Sequence, residues 1–238
     1  MKILVLAGGF GSRLQSVVAE VPKALAPVGD ATFLQLQIDH WKTQGINSFV
    51  FLLHYQADQV ISFLKKEKKS GVLMDCEVFW LVEPMPMDTG GAVAHAVEQL
   101  KLTGNFLVTN ADTWLGAGIA EVSQAQVPAM AVVELPDAAR YGRVQFDQRH
   151  RVTAFQEKNS KQDSGWINAG LCQLNAELFQ GWDHLPFSLE RQTFPAMVAG
   201  AKLKAVTLQT DFIDIGIPDD YFRFCRWIKA GRKGALCC

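Results

Sequence analysis

No stretch of this 238-residue chain stays apolar for about 18 residues, the length that a membrane-crossing helix requires. Nor is there a basic surplus. Lys and Arg number 23 against 24 Asp and Glu, a net charge of −1, which argues against a nucleic-acid partner. Cysteine is sparse and unpatterned. The five (Cys76, Cys172, Cys225, Cys237 and Cys238) are odd in number and form no C-x-x-C pair. They read as reduced thiols of a cytoplasmic protein. Cys237-Cys238 lacks the C-a-a-X spacing of a prenylation signal and reads as a frayed tail. The five histidines are scattered, which argues against a zinc site. The N-terminus lacks the layout of a signal peptide, because Lys2 leads directly into a short strand and then glycines. Repeats, low-complexity tracts and linkers are missing too.

What the chain does have is a large apolar fraction, 49%, enough for a sizeable core. Its first half alternates. "KILVLA" (2–7) is a continuous apolar run, the mark of a buried strand. Phe33, Leu36, Ile38 and Trp41 are spaced as a helix over 32–44, and "SFVFLLHY" is a second strand. A helix over 57–69, a strand "VLMDCEVFWLV", a helix from Gly90 to Leu100 and a strand "NFLVTN" follow. This alternation predicts an α/β fold: a doubly wound, mostly parallel, Rossmann-like mixed sheet. The middle is different. "AMAVVEL", "GRVQF", "VTAFQEK" and "WINAGLCQL" are short strands, with no helix of useful length between the first three. They predict an inserted antiparallel layer. "KNSKQDSG" (158–165) reads as a polar loop. A helix around 188–200, a strand at 203–208 and a helix from Pro218 close the chain. The expected organisation is one domain, 1–238. Its core is about 1–130 and 200–238, and its insertion is about 131–199.

The first strand runs into "LAGGFGSRL" (6–14). A P-loop needs G-x-x-x-x-G-K-[ST], which is absent. A dinucleotide fingerprint needs G-x-G-x-x-G. Gly9 and Gly11 fit, but Leu14 holds the third position. The acidic ribose reader should end the second strand, where His54 and Tyr55 stand. What remains is a nest of backbone N–H groups with Arg13 beside it and Lys23 following in "VPKALAPV". Two cations beside such a nest suit a triphosphate or pyrophosphate. A tight turn with a solvated Arg13 is the plainer alternative, and the loop is expected to be exposed without a ligand. Asp112 in "TNAD" and Asp214 in "DFIDIG" are expected at strand ends, on the edge where open α/β sheets bind ligands. Mg²⁺ takes only one or two carboxylates when phosphates and water supply the rest. Each Asp taken alone also reads as a helix cap.

Together, Leu6 to Leu14 followed by Pro22-Lys23 resembles the signature of sugar-1-phosphate nucleotidylyltransferases. Further segments match that family in order: "EPMPMDTGGA" (83–92), "NAD" (110–112), "RYGRVQFD" (140–147), "FQEK" (155–158), "INAG" (167–170), "FSLERQTFP" (187–195) and "FIDIGIPDDY" (212–221). The resemblance runs the length of the chain. Its last motif and compact size are most similar to guanylyltransferases acting on heptose and mannose 1-phosphates. One departure is Ala111, where the family has glycine. A methyl group there is either tolerated or trims the acceptor pocket.

The resemblance implies transfer of a nucleotidyl group to a sugar 1-phosphate, with release of pyrophosphate. A phosphate oxygen is ionised at neutral pH, so no general base is required. The family pattern assigns Arg13, Lys23 and Asp112 to catalysis. Leu6, Ala7, Gly8, Gly9, Gly11, Glu83 and Gly90 join Arg13 and Lys23 around the nucleotide. Thr89, Asn110, Gly142, Glu157, Lys158 and Asn168 surround the sugar phosphate. Asp112 and Asp214 hold Mg²⁺. Glu83 falls where relatives read the base. A carboxylate accepts both N1–H and N2–H₂ of guanine, so GTP is expected over UTP, dTTP and ATP. The implied partners are a nucleoside triphosphate and a sugar 1-phosphate, with neither nucleic acid nor membrane; a homodimer is left open. The inserted layer is then the sugar-binding part. A uridylyl or cytidylyl relative, a non-catalytic regulatory homologue and a glycosyltransferase are the rivals. The last wants a D-x-D motif, and "NADT" has one Asp.

Overall fold

The computed structural model describes residues 1–156, 164–233 and 236. In chain order the strands are β1 (Lys2–Leu6), β2 (Pro27–Val28), β3 (Ala31–Thr32), β4 (Ser48–Leu53), β5 (Glu77–Val82), β6 (Asn105–Asn110), β7 (Thr113–Leu115), β8 (Ala129–Leu135), β9 (Arg143–Phe146), β10 (Val152–Gln156), β11 (Gly165–Asn175), β12 (Lys204–Leu208) and β13 (Phe212–Asp214). The helices are α1 (Phe33–Thr43), α2 (Ala57–Lys69), α3 (Asp88–Gln99), α4 (Ile119–Gln124), α5 (Phe194–Ala199) and α6 (Pro218–Lys229). No described helix is long and apolar enough to cross a membrane. The fold is of the mixed α/β class. It divides into two compact units, one of Met1–Pro86, Thr109–Gly116 and Asp211–Leu236, the other chiefly of Met87–Val108 and Ala117–Thr210.

The first unit is built on parallel pairing. β1 pairs with β4 from Lys2↔Ser48 to Leu6↔Leu52, and β4 with β5 from Ser48↔Glu77 to Leu53↔Val82. All six residues of β4 are buried, as a central parallel strand requires. α1 starts where Thr32 accepts a hydrogen bond from the Gln35 N–H, and it buries Phe33, Leu34, Gln37, Ile38 and Trp41 at helical spacing. The segment read as one strand over 72–82 is shorter: β5 begins only at Glu77. Ahead of it the chain turns at Gly71 (φ +93°), and the Met74 N–H bonds to Gly71 O. Leu73 and Cys76 are buried there, so their apolar signal comes from turns rather than a strand.

β7 and β13 form a separate two-stranded antiparallel ladder, with Phe212 opposite Leu115 and Asp214 opposite Thr113. Behind it lies a core of Leu14, Val18, Phe33, Trp114, Ile213, Ile215, Phe224 and Trp227. This core ties the glycine-rich loop, the ends of the ladder and α6 together.

In the second unit β8 is central. β11 runs antiparallel to it from Gly165↔Leu135 to Gln173↔Ala129, with an irregularity between Asn168 and Cys172. β12 runs parallel to β8, and β9 pairs antiparallel with β10 and β11. The helix read around 188–200 has two parts. A wide π-helical turn over Leu189–Thr193 is capped by Ser188, and α5 follows with Pro195 in its first turn. The short α4 was not legible. β6 crosses between the units: Asn105–Val108 belong to the second, and Thr109–Asn110 to the first.

Candidate active site

Within the first unit, strand ends converge. The Ala7 N–H donates to Leu52 O at 2.9 Å, and the Ala111 N–H to Leu6 O at 3.0 Å. The ends of β1, β4 and β6 therefore lie side by side. From β1 the chain passes through Gly8 and Gly9 to Gly11, whose φ of +61° is in the left-handed region that favours glycine. A Cβ on Gly11 would stand 3.1 Å from Lys23 Cβ, so the loop backbone lies directly on the lysine stem. A single turn follows, with the Leu14 N–H bonded to Gly11 O, and Leu14 is anchored in the core. The result is a cleft of about 190 Å³ whose lining includes Leu6, Ala7, Gly9, Gly11, Arg13, Lys23, Asp112 and Gly216.

Lys23 is the electrostatic centre of this cleft. Its Nζ donates to Asp112 Oδ2 at 2.6 Å and to Asp214 Oδ1 at 3.2 Å. Pro22, with φ −60° and ψ 147°, feeds Lys23 into a short helical turn that buries Ala24 and Leu25. The expectation of an exposed loop holds for Arg13 but not for Lys23, whose side chain is 12% exposed. Burial alone would lower the Lys23 pKa. The charges of Asp112 and then Asp214 outweigh it and hold the ammonium above its ordinary 10.5. The Asp214 carboxyl is held above the usual carboxylate range by burial first and then by the Asp112 charge, against the pull of Lys23. The Lys23 ammonium offsets part of the repulsion between the two carboxylates.

The carboxylates are themselves positioned by backbone. The Gly216 N–H donates to Asp214 Oδ1 at 2.6 Å, and the Ile215 N–H to Asp112 O at 3.0 Å. Thr113 Oγ1 donates to Asp112 Oδ1 at 3.2 Å. Gln37, buried on α1, donates to Asn110 O at 3.2 Å and Thr113 O at 2.8 Å, and so braces the turn that carries Asp112. Oxygen donors converging on one cationic atom fit a hard divalent ion. No cluster of three or more His, Cys, Asp or Glu residues forms a metal cage among the described residues. Such an ion would take its other ligands from water and phosphate.

Glu83 follows β5 and is buried at 8% exposure. A Cβ on Gly8 would stand 2.9 Å from Glu83 Oε1, so glycine here leaves room for that carboxylate. His54 and Tyr55 pack against the exposed Phe10, at ring-centroid distances of 6.0 and 5.2 Å.

The second unit holds other expected residues. Gly142 O accepts from the Asn168 N–H at 3.2 Å, and Asn168 Oδ1 accepts from the Gly170 N–H at 3.0 Å. Thr89 Oγ1 donates to Glu190 Oε2 at 2.6 Å and accepts from the Leu189 N–H at 2.9 Å. The Gly90 N–H is committed to Phe187 O at 2.8 Å, and a Cβ on Gly90 would lie 2.3 Å from the Phe187 ring. That packing leaves no room for a side chain at this position. Glu157 and Lys158 lie outside the described residues, as do Cys237 and Cys238. Sequence reasoning did not single out Gly216, Gln37 or Glu190. The only visible hints were a polar residue on the buried face of α1 and the matched segments that contain the other two.

The fold and this cleft define a class. The chain belongs to the nucleotidyl transferase family, whose sequence model matches residues 2–229. A D-glycero-alpha-D-manno-heptose 1-phosphate guanylyltransferase of Campylobacter jejuni is 29% identical over 227 residues, covering 94% of this chain and 98% of that protein. The probable mannose-1-phosphate guanylyltransferase 1 of Oryza sativa is 32% identical over 245 residues, covering 99% of this chain and 67% of the plant protein. Among solved structures, HddC of Yersinia pseudotuberculosis complexed with GMP-PN superposes with a TM-score of 0.81 at 30% identity, over 95% of this chain and 99% of that one.

Proposed function

We propose that this chain transfers GMP from GTP to a sugar 1-phosphate, giving the nucleotide sugar and pyrophosphate. The favoured acceptor is D-glycero-D-manno-heptose 1-phosphate, and mannose 1-phosphate is the second candidate. The observation that carries this reading is the joining, in one cleft, of the glycine loop, Arg13, Lys23 and Asp112, with Asp214 hydrogen-bonded to that same lysine. The relatives' printed activities supply the acceptor class.

In this reading the chain is one nucleotidyltransferase domain, 1–238, with a nucleotide-binding core of about 1–130 and 200–238 and a sugar-binding insertion of about 131–199. Backbone N–H groups of Gly8, Gly9 and Gly11 face the triphosphate, and Leu6 and Ala7 floor its site. Arg13 and Lys23 neutralise its charge and that of the leaving pyrophosphate, which is most of what phosphoryl chemistry asks of a protein. Glu83 accepts hydrogen bonds from guanine, and Gly90 lies on the same base-side motif. Thr89, Asn110, Gly142, Glu157, Lys158 and Asn168 orient the sugar phosphate. Asp112 and Asp214 hold Mg²⁺, which when bound supplies positive charge to phosphate oxygens. The nucleophile is already ionised, so no side chain needs to take a proton from it.

The test is a matrix of GTP, UTP, dTTP, CTP and ATP against heptose, mannose and glucose 1-phosphates, read by pyrophosphate release. GTP with heptose or mannose 1-phosphate is expected to lead in kcat/KM. A preference for UTP or CTP overturns the guanylyl assignment. No pyrophosphate with any pair overturns the enzymatic reading.

A further inference from the structure

The two carboxylates assigned to the metal are already bridged. The Lys23 ammonium lies 2.6 Å from Asp112 Oδ2 and 3.2 Å from Asp214 Oδ1, and those are oxygens that a shared ion would use. Mg²⁺ binds oxygen at about 2.0–2.1 Å, so an ion between the same two oxygens would displace this ammonium. The surroundings are shaped to the arrangement. Gly216 lacks the Cβ that would stand 3.0 Å from Lys23 Nζ and 2.7 Å from Asp214 Oδ1. Gly11 lies against the lysine stem. The backbone of Lys23 is fixed between Pro22 and the buried Ala24 and Leu25, whereas its side chain has a flexible four-carbon stem. Arg13 shares the cleft and is exposed, so anionic oxygens entering there meet one cation already turned outward.

We propose that Lys23 is the resident cation of the Asp112–Asp214 pair and competes with the divalent ion for it. The pair accepts a metal only as Lys23 leaves it. Phosphate oxygens of the nucleotide give Lys23 a new partner, so nucleotide and metal enter as a set and the metal alone binds weakly. This rests on the assignment of Asp112 and Asp214 as metal ligands.

The experiment measures Mn²⁺ affinity of the full chain without nucleotide, from the electron paramagnetic resonance signal of free Mn²⁺. Lys23→Met and Lys23→Gln are compared with wild type, with Lys23→Arg and with Lys23→Met/Asp214→Asn. Both neutral variants are expected to bind at least about tenfold tighter than wild type, the factor by which a site open a tenth of the time is weakened. Lys23→Arg keeps the positive charge and should stay weak, a pattern that general loosening of the cleft would not produce. Equal affinity in wild type and both neutral variants, with binding lost on adding Asp214→Asn, overturns the competition and leaves the metal site standing. Tight binding that survives Asp214→Asn overturns the metal assignment and this inference with it.

Discussion

A methyl group at Gly216 would stand 2.7 Å from Asp214 Oδ1 and 3.0 Å from Lys23 Nζ. Gly216→Ala is therefore expected to push the carboxylate and the ammonium apart. A stability loss of about 1–3 kcal/mol should follow, as for other overpacked sites. Turnover should fall roughly 10- to 100-fold, because reacting groups tolerate little misplacement. Thermal melts and steady-state rates check both. Lys23→Ala removes the bridge altogether. It should lower turnover by about two orders of magnitude, as loss of a charged transition-state donor does. It should also lower stability by about 1–2 kcal/mol, less than for a fully buried pair because both aspartates are about a third exposed. An unchanged melting temperature would count against the bridge. For Glu83, hydrogen bonds to a charged group contribute about 1.5–3 kcal/mol, so Glu83→Gln should erode the preference for GTP by about 10- to 150-fold in relative kcat/KM. The glycine loop, Lys23 and both aspartates were legible because their spacing and order carry the family pattern. Gly216 and Gln37 were not. One acts through a backbone N–H and a missing atom, the other through an amide aimed at two distant carbonyls, and neither leaves a mark in local sequence.

Elements of ordinary length could be read from periodicity. α1, α2, β4 and β6 fall where their apolar spacing puts them. Three-residue strands carry too few alternations to be seen, and β7 and β13 exist through each other and the core behind them. Asp214 could be placed at a strand end from its motif, but not the partner strand that fixes it. α6 shows how such an element is secured. Tyr221, on its first turn, donates its hydroxyl hydrogen to Pro27 O. Burial, followed by the nearby Cys225, pushes the phenol up to about 12. Its folded pKa thus exceeds the ordinary 10, so the native state holds the proton more tightly than the unfolded chain. This contribution to stability is full below pH 10 and is lost as pH rises through about 12. Wild type should therefore lose stability relative to Tyr221→Phe across that window. Paired denaturant titrations should show the gap closing, and a constant gap would show that the phenol does not titrate with folding.

For the molecule as a whole, the readout is ligand-linked stability. A nucleotide that binds only the folded chain adds RT ln(1 + [L]/Kd), about 2.7 kcal/mol at a hundredfold excess over Kd. GTP with a divalent ion should raise the melting temperature more than UTP or ATP at equal concentration. Equal shifts for all three would show recognition of phosphates without recognition of the base.

The chain passes from one unit to the other after Pro86, Val108, Gly116 and Thr210, so neither unit is a continuous segment. Synthesis runs in one direction. The glycine loop and Lys23 emerge early, Asp112 later, and Asp214 only after nearly a hundred further residues of the other unit have been made. While the chain grows, Lys23 has at most one of its two carboxylate partners. The two-carboxylate cluster around Lys23 is therefore completed only once the segment after Thr210 has been made.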